Sequence, residues 1–422
     1  MKKFYLLIFL VFICFISTNK ANSDETKEYV DEIVDDLVVY RSYIDGFKYL
    51  TEREKLFAYY MTKASIAGRD IFFDQMHEYA IDIRDILSEI LLHSEGIDQN
   101  IVKNIKHYLY LIWNFGCNYD LGTDFSKIVP RFTQGELQTA AGIAVKNGAS
   151  IDVKALKDYE NIIFNKDFEP YLVVNNSIEE SAVNFYIGDI TTNEVIDYYN
   201  NYNKPVHRDS NGNILGEIGL NTKLVKGYAG LFRSRKILRE QYPHELYPNK
   251  INKIIYYLNK ALKYGTDNQK GYLNHLINYL RTGDVYYWHL FNREWLADNP
   301  VVDFMLGFVE VYQDPLNRKG SYEGIVNYID KEETERQKII AENVQYYENN
   351  APWDEAYKKQ WENVPVAKSI DVIVETGDAQ TCCISGIILP NEAYLRDNYG
   401  SKAVQIVNTT DAINKGYDKS FG

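Results

Sequence analysis

Residues 300–315 read PVVDFMLGFVEVYQDP. The run is apolar and rich in β-branched and aromatic residues. It stops at Asp314-Pro315, so it is expected to be a strand or a buried extended segment. Two carboxylates, Asp303 and Glu310, sit inside it. A buried strand carries such groups only where they have partners. The segment is therefore the first place to look for chemistry.

Working outward, the flanking chain is mostly helical. INKIIYYLNKALKY (251–264) places Ile251, Ile254, Ile255, Leu258 and Leu262 on one face, with Gly265 where a helix would stop. A further helix fits 268–281 before Gly283. From 25 to about 112 the pattern is helical, with a capping box at Thr51–Glu54. Thr133-x-x-Glu136 and Thr191-x-x-Glu194 mark two more starts. YLVVNN (171–176) and SAVNFYIGDI (181–190) favour strands, and 200–222 reads as loop, with DSNGN (209–213) as a turn. KEETERQKIIAENVQYYENN (331–350) is expected to be one charged helix, and SIDVIVE (369–375) and CCISGIILP (382–390) to be core strands. The expected fold class is α+β, with a mainly helical N-terminal part and a mixed β core.

Composition excludes some functions. The chain has 422 residues and a formal net charge of −13, a poor match to nucleic acid. Lys2 and Lys3 precede a short apolar run, Phe4 to Ile16, and Ala21-Asn22-Ser23 offers small residues for cleavage. Residues 1–23 therefore read as an export signal, giving a periplasmic or extracellular protein that begins near Asp24. No membrane association is expected after cleavage. Cys117, Cys382 and Cys383 remain in the exported chain, an odd number without CxxC, so no disulfide framework is expected.

A zinc hydrolase needs imidazoles grouped on one face with a glutamate nearby. The seven histidines, His77, His93, His107, His207, His244, His275 and His289, are scattered. His77-Glu78 and His244-Glu245 each lack a second histidine within a helical turn or so. There is no GxSxG, no GxxxxGK[ST] and no GxGxxG.

Several blocks, in colinear order, carry a resemblance instead. They are GRDIFFDQ (68–75), NSIEESAVNFYIGDIT (176–191), YPNKINKIIYYLNKALKYGTDNQKGYLNHLINYLRTGD (247–284), WLADNPVVDFMLGFVEVYQDPLNRKGSYEG (295–324) and GIILPNEAYLRDNYGSKAVQIVN (386–408). From about 60 to about 410 the chain resembles the dipeptidyl peptidase III family, the M49 zinc metallopeptidases. The resemblance implies a two-lobed body with a wide cleft and release of dipeptides from peptide N-termini. It implies that the zinc motif, HExxGH, follows the substrate strand. Because that motif is not in this sequence, the chain is expected to keep the peptide-binding lobe, to be truncated before the metal ligands and to hold no zinc itself.

The implied site residues are for substrate. Asp303 matches an acid that binds the free amine, and Asn391 an asparagine that helps hold the peptide end. Gly386 and Ile388 lie on the strand expected to pair with the peptide main chain. Two positions depart from the family: Met305 stands where a tyrosine helps stabilise the transition state, and Ile388 stands where an asparagine precedes the proline by two. The implied division is a signal at 1–23, a substrate-binding lobe at 24–325 and a helical excursion towards the zinc lobe at 326–363. Strands returning to the core follow at 364–408, then a stub at 409–422. Expected partners are short peptides and a separate chain carrying the zinc lobe. The alternative is an exported, non-catalytic peptide-binding or scaffold protein.

Overall fold

The computed structural model describes residues 27–228, 236–360, 368–381 and 384–421. The export-signal reading of 1–23 and the Cys382–Cys383 pair lie outside the described residues. The chain opens with a hairpin, β1 (Val30–Val34) and β2 (Leu37–Tyr40). Helices follow: α1 (Glu52–Met76), α2 (Ala80–Leu92), α3 (Gln99–Phe115), α4 (Gln134–Lys146) and the short α5 (Glu160–Phe164). A small sheet, β3 (Tyr186–Ile187), β4 (Lys223–Tyr228) and β5 (Lys236–Gln241), brackets α6 (Thr192–Asn200). Then come α7 (Pro243–Leu246), α8 (Pro248–Ala261), α9 (Asp267–Thr282) and α10 (Val285–Ala297).

The main sheet begins with the stretch quoted at the outset, β6 (Val302–Glu310), and continues with β7 (Ser321–Ile329). Two exposed helices, α11 (Lys331–Glu342) and α12 (Val344–Asn350), lead to β8 (Lys368–Gly377) and β9 (Gly386–Leu389). After α13 (Ala393–Tyr399) come β10 (Lys402–Ile406) and α14 (Asn408–Phe421). The strand order is β6-β7-β8-β10-β9. β7 is antiparallel to β6 and β8, β10 is parallel to β8, and β9 is antiparallel to β10. The architecture is α+β. No helix among the described residues is long and apolar enough to cross a membrane.

Local chemistry explains many boundaries. Thr51, Thr133 and Thr191 each accept from the amide three residues on, and the glutamate there bonds back, so all three expected capping boxes form. Thr266 and Gln269 form a fourth at the start of α9, and Gly283 ends that helix in the left-handed region. α1 packs on α8 and against β7 and β8, joining helical layer and sheet in one core.

Four expectations are corrected. Residues 30–40 form a hairpin rather than a helix, because the turn at Asp35 (φ 56°) reverses a β-branched run. Residues 171–176 and 181–190 are mostly not ladder strands. Their amides bond locally, Val183 N to Leu172 O and Val174 N to Ser181 Oγ, and only Tyr186–Ile187 joins a sheet. The helix expected over 331–350 breaks at Asn343. The strand expected over 382–390 is confined, among the described residues, to Gly386–Leu389.

Candidate functional site

The main sheet curls until its two edge strands approach each other. Asn391, just beyond β9, donates through Nδ2 to Glu310 Oε2 (2.9 Å) and to Val309 O (3.4 Å) at the far end of β6. Residues of all five strands, among them Asp303, Met305, Asn327, Ile370, Leu389 and Lys402, line one cavity of about 30 Å³. That is room for about one or two waters.

α10 runs beside β6 and fixes both ends of this wall. Trp295 Nε1 donates to Asp303 Oδ1 at 2.9 Å. Further along, Gly307 admits the Trp288 ring, since a Cβ there would lie 2.7 Å from it. Trp288 Nε1 in turn donates to Glu392 Oε1 at 2.7 Å. Burial pushes the Glu392 carboxyl up to about 7, and nearby Glu217 adds to the shift.

Asp303 is buried and fully engaged. Besides Trp295, its Oδ1 accepts from the Phe304 amide at 2.9 Å, and its Oδ2 accepts from Lys402 Nζ at 3.0 Å. Opposite it across the β6–β7 ladder is Asn327, and opposite Met305 is Ile325. Met305 is buried and, like Ile387 and Leu389, faces the cavity. Lys368 also lines it, and burial pulls the Lys368 ammonium below its ordinary range, with Lys402 adding repulsion.

A second acidic group lies where Asn391 meets β6. Glu323 is 3% exposed and Asp378 1%. Burial pushes Glu323 well up, and the nearby Glu310, Asp378 and Glu375 carboxylates push in the same direction. Burial brings Asp378 and Glu375 up to about 7. Glu310 is also raised by burial, against the donation from Asn391. Asp378 Oδ1 accepts from Gln313 Nε2 at 3.1 Å, while Glu323 Oε1 and Asp378 Oδ2 have no hydrogen-bond partner among the described residues. Gly377 places Asp378 here. Its φ is +67°, and a Cβ would lie 2.1 Å from Tyr322 O, so the turn requires glycine.

The expected substrate residues thus separate into three environments. Asp303 and Met305 share the cavity with the inner face of β9. Asn391 sits with Glu310 at the other end of β6, and no hydrogen bond among the described residues joins it to Asp303. Gly386 and Ile388 face outward on β9, and Ile388 is 61% exposed. The partners Lys402, Trp295, Glu323 and Asp378 were missed. Glu323 carried the same signal as Asp303, an acid inside an apolar run (SYEGIVNYI).

The histidines do not form the zinc site that the resemblance implies for the full-length family. His77 faces Glu169 at 3.2 Å, His107 faces Asp36 at 2.7 Å, and His275 faces Glu294 at 3.2 Å. Among the described residues no three His, Cys, Asp or Glu side chains are grouped to hold a metal ion.

Comparison with known proteins gives these arrangements a context. The family model for peptidase family M49 matches residues 239–421. Dipeptidyl peptidase 3 of Dictyostelium discoideum is 24% identical over 406 residues, covering 88% of this chain and 55% of that protein. The Homo sapiens protein of that name is 22% identical over 404 residues, covering 86% and 53%. The chain spans about half the length of the curated relatives it matches. The structure of dipeptidyl peptidase III from Caldithrix abyssi superposes with a TM-score of 0.59 at 19% identity, covering 88% of this chain and 58% of that one. That from Corallococcus sp. strain EGB gives 0.57 at 16%, covering 86% and 56%. Sequence and fold point the same way: residues 239–421 match the model of peptidase family M49, and the chain is similar in sequence and in fold to dipeptidyl peptidase III proteins.

Proposed function

We propose that this chain binds short peptides by their free N-terminal end. The observation that carries the reading is the position of β9. It ends the strand order, with β10 on one side and, among the described residues, no strand hydrogen-bonded on the other, and it borders the cavity that holds Asp303. An extended peptide adding to that edge would gain main-chain hydrogen bonds. Its ammonium would find a charge-assisted bond at Asp303. Gly386 supports the edge, because a Cβ there would lie 2.7 Å from Val404 O.

Dipeptide release would need a zinc-activated water and a glutamate base. The 422 residues contain no HExxGH. Catalysis is therefore part of the proposal only where that motif is supplied from outside these residues, as by a separate chain, and export through residues 1–23 belongs to the same reading. A non-catalytic binding or scaffold role is the second reading. It is favoured by the existing pairing of Asp303 with Lys402.

Calorimetry with a tetrapeptide and its N-acetylated form tests the proposal. Asp303→Asn should weaken the free-amine peptide about tenfold or more, since stranding one partner of a buried charge pair costs on the order of 2–5 kcal/mol. The acetylated peptide should bind weakly to both proteins. Equal affinity of the unmutated protein for the two peptides would remove Asp303 from the site.

A further inference from the structure

Three donors already hold the Asp303 carboxylate in this fold. Trp295 Nε1 and the Phe304 amide hold Oδ1, and Lys402 Nζ holds Oδ2. The Lys402 ammonium also lies 4.1 Å from the centre of the Trp295 ring. A carboxylate joined to an aromatic face is a receptor for an ammonium group. Here the chain fills that receptor from within. Lys402 lies on β10, directly across the ladder from Leu389 of β9, so its ammonium arrives from beside the strand proposed to take the peptide. The side chains of Lys402 and Asp303 are only 11% and 12% exposed. The space left over while Lys402 is seated is about 30 Å³, room for about one or two waters.

We propose that Lys402 is a resident ammonium at the amine-binding position of Asp303, and that a peptide amine binds there only by displacing it. The inference rests on the reading of Asp303 as the amine acceptor. It makes Lys402 a specificity-determining residue for that site. The exchange swaps one ammonium for another, so loss of the Lys402 pair offsets part of what the peptide gains. The long Lys402 stem can carry its head to solvent, while Trp295 and the Phe304 amide keep the carboxylate in place. Lys368, the second cation on the cavity wall, also opposes an incoming amine. Asp298, which acts on Lys368 from behind, is already bonded to Asn268 and Tyr272. The competing account is a structural latch, an ion pair that ties β6 to β10 and never opens.

Lys402→Ala removes a fragment with the shape of propylammonium. In that variant, propylammonium should raise the melting temperature saturably, and the neutral isostere 1-propanol should not. The wild type and the Lys402→Ala/Asp303→Asn double variant should not respond. The free-amine tetrapeptide should bind Lys402→Ala about tenfold or more tightly than wild type, with the acetylated peptide unchanged. A folded Lys402→Ala that ignores propylammonium, or answers equally to propanol, overturns the proposal. If the variant does not fold, the wild type carries the test. Acetylation of Lys402, followed by mass spectrometry, should accelerate with bound free-amine peptide and not with the acetylated one. An unchanged rate with peptide bound overturns the displacement. Propylammonium rescue without any peptide binding to the wild type would uphold the resident ammonium and overturn the peptide-binding reading.

Discussion

Replacing Phe304 with alanine is expected to lower stability by about 3–5 kcal/mol, the range for truncating a buried aromatic side chain. Phe304 is 1% exposed. Its ring centre lies 6.1 Å from that of Phe57 on α1, 5.9 Å from Tyr272 on α9 and 6.0 Å from Phe291 on α10. One side chain of β6 therefore seals the sheet against three helices, and its removal leaves a void with no mobile neighbour to fill it. Phe304→Leu keeps much of the volume and should lose far less. The check is the denaturant midpoint of each variant. A loss below about 1 kcal/mol for Phe304→Ala would mean that helices and sheet do not share a core.

The second large effect concerns pH. In the folded protein Asp378 and Glu375 are raised to about 7 and Glu323 is raised well up, all chiefly by burial. The fold thus keeps protons that the unfolded chain releases at its lower, ordinary values. Their contribution to stability is fully present below those values and is lost as pH rises through the folded ones. Stability from this group should fall between about pH 4 and pH 7. For Asp378 the rise to about 7 corresponds to roughly 4 kcal/mol at about 1.36 kcal/mol per pH unit, so Asp378→Asn should be more stable than wild type at pH 8 by on the order of 2–4 kcal/mol, and Glu323→Gln should change in the same direction. At about pH 3, below the ordinary carboxyl range, the difference should nearly vanish. Lys319 acts oppositely at higher pH: it is buried, and its ammonium is lowered to about 7. The comparison is therefore between variant and wild type at each pH, by thermal melting. Variants no more stable than wild type at pH 8 would show that these acids are ionised and compensated in the fold.

Much of this architecture could be read from short-range patterns. The three threonine capping boxes, the apolar face of α8 and the strands β6 and β8 each depend on residues within a turn or a few positions. What the chain did not disclose locally was pairing. β7 and β10 complete the sheet through ladders whose register depends on distant segments. The β1–β2 hairpin reads as helix in the sequence because its acids fall among apolar residues at spacings that suit either structure. At the site, Asp303 stood out as an acid in an apolar run. Its partner Lys402 lies 99 positions away and is an ordinary lysine in sequence. The same distance hides the meeting of Asn391 with Glu310 and of Asp378 with Glu323. Family resemblance implied roles for Asp303 and Asn391, but it could not reveal that the first is paired with Lys402 and the second with Glu310.

The claim at the centre of this account is that β9 receives a peptide strand with its amine at Asp303. Hydrogen exchange followed by mass spectrometry measures it directly. With saturating free-amine tetrapeptide, amides of 386–389 should exchange about tenfold or more slowly than in the free protein, because a paired edge opens less often. The N-acetylated peptide, and the free peptide with Asp303→Asn, should leave those amides unchanged. Free-amine peptide that binds while 386–389 exchange at the unliganded rate would contradict the account.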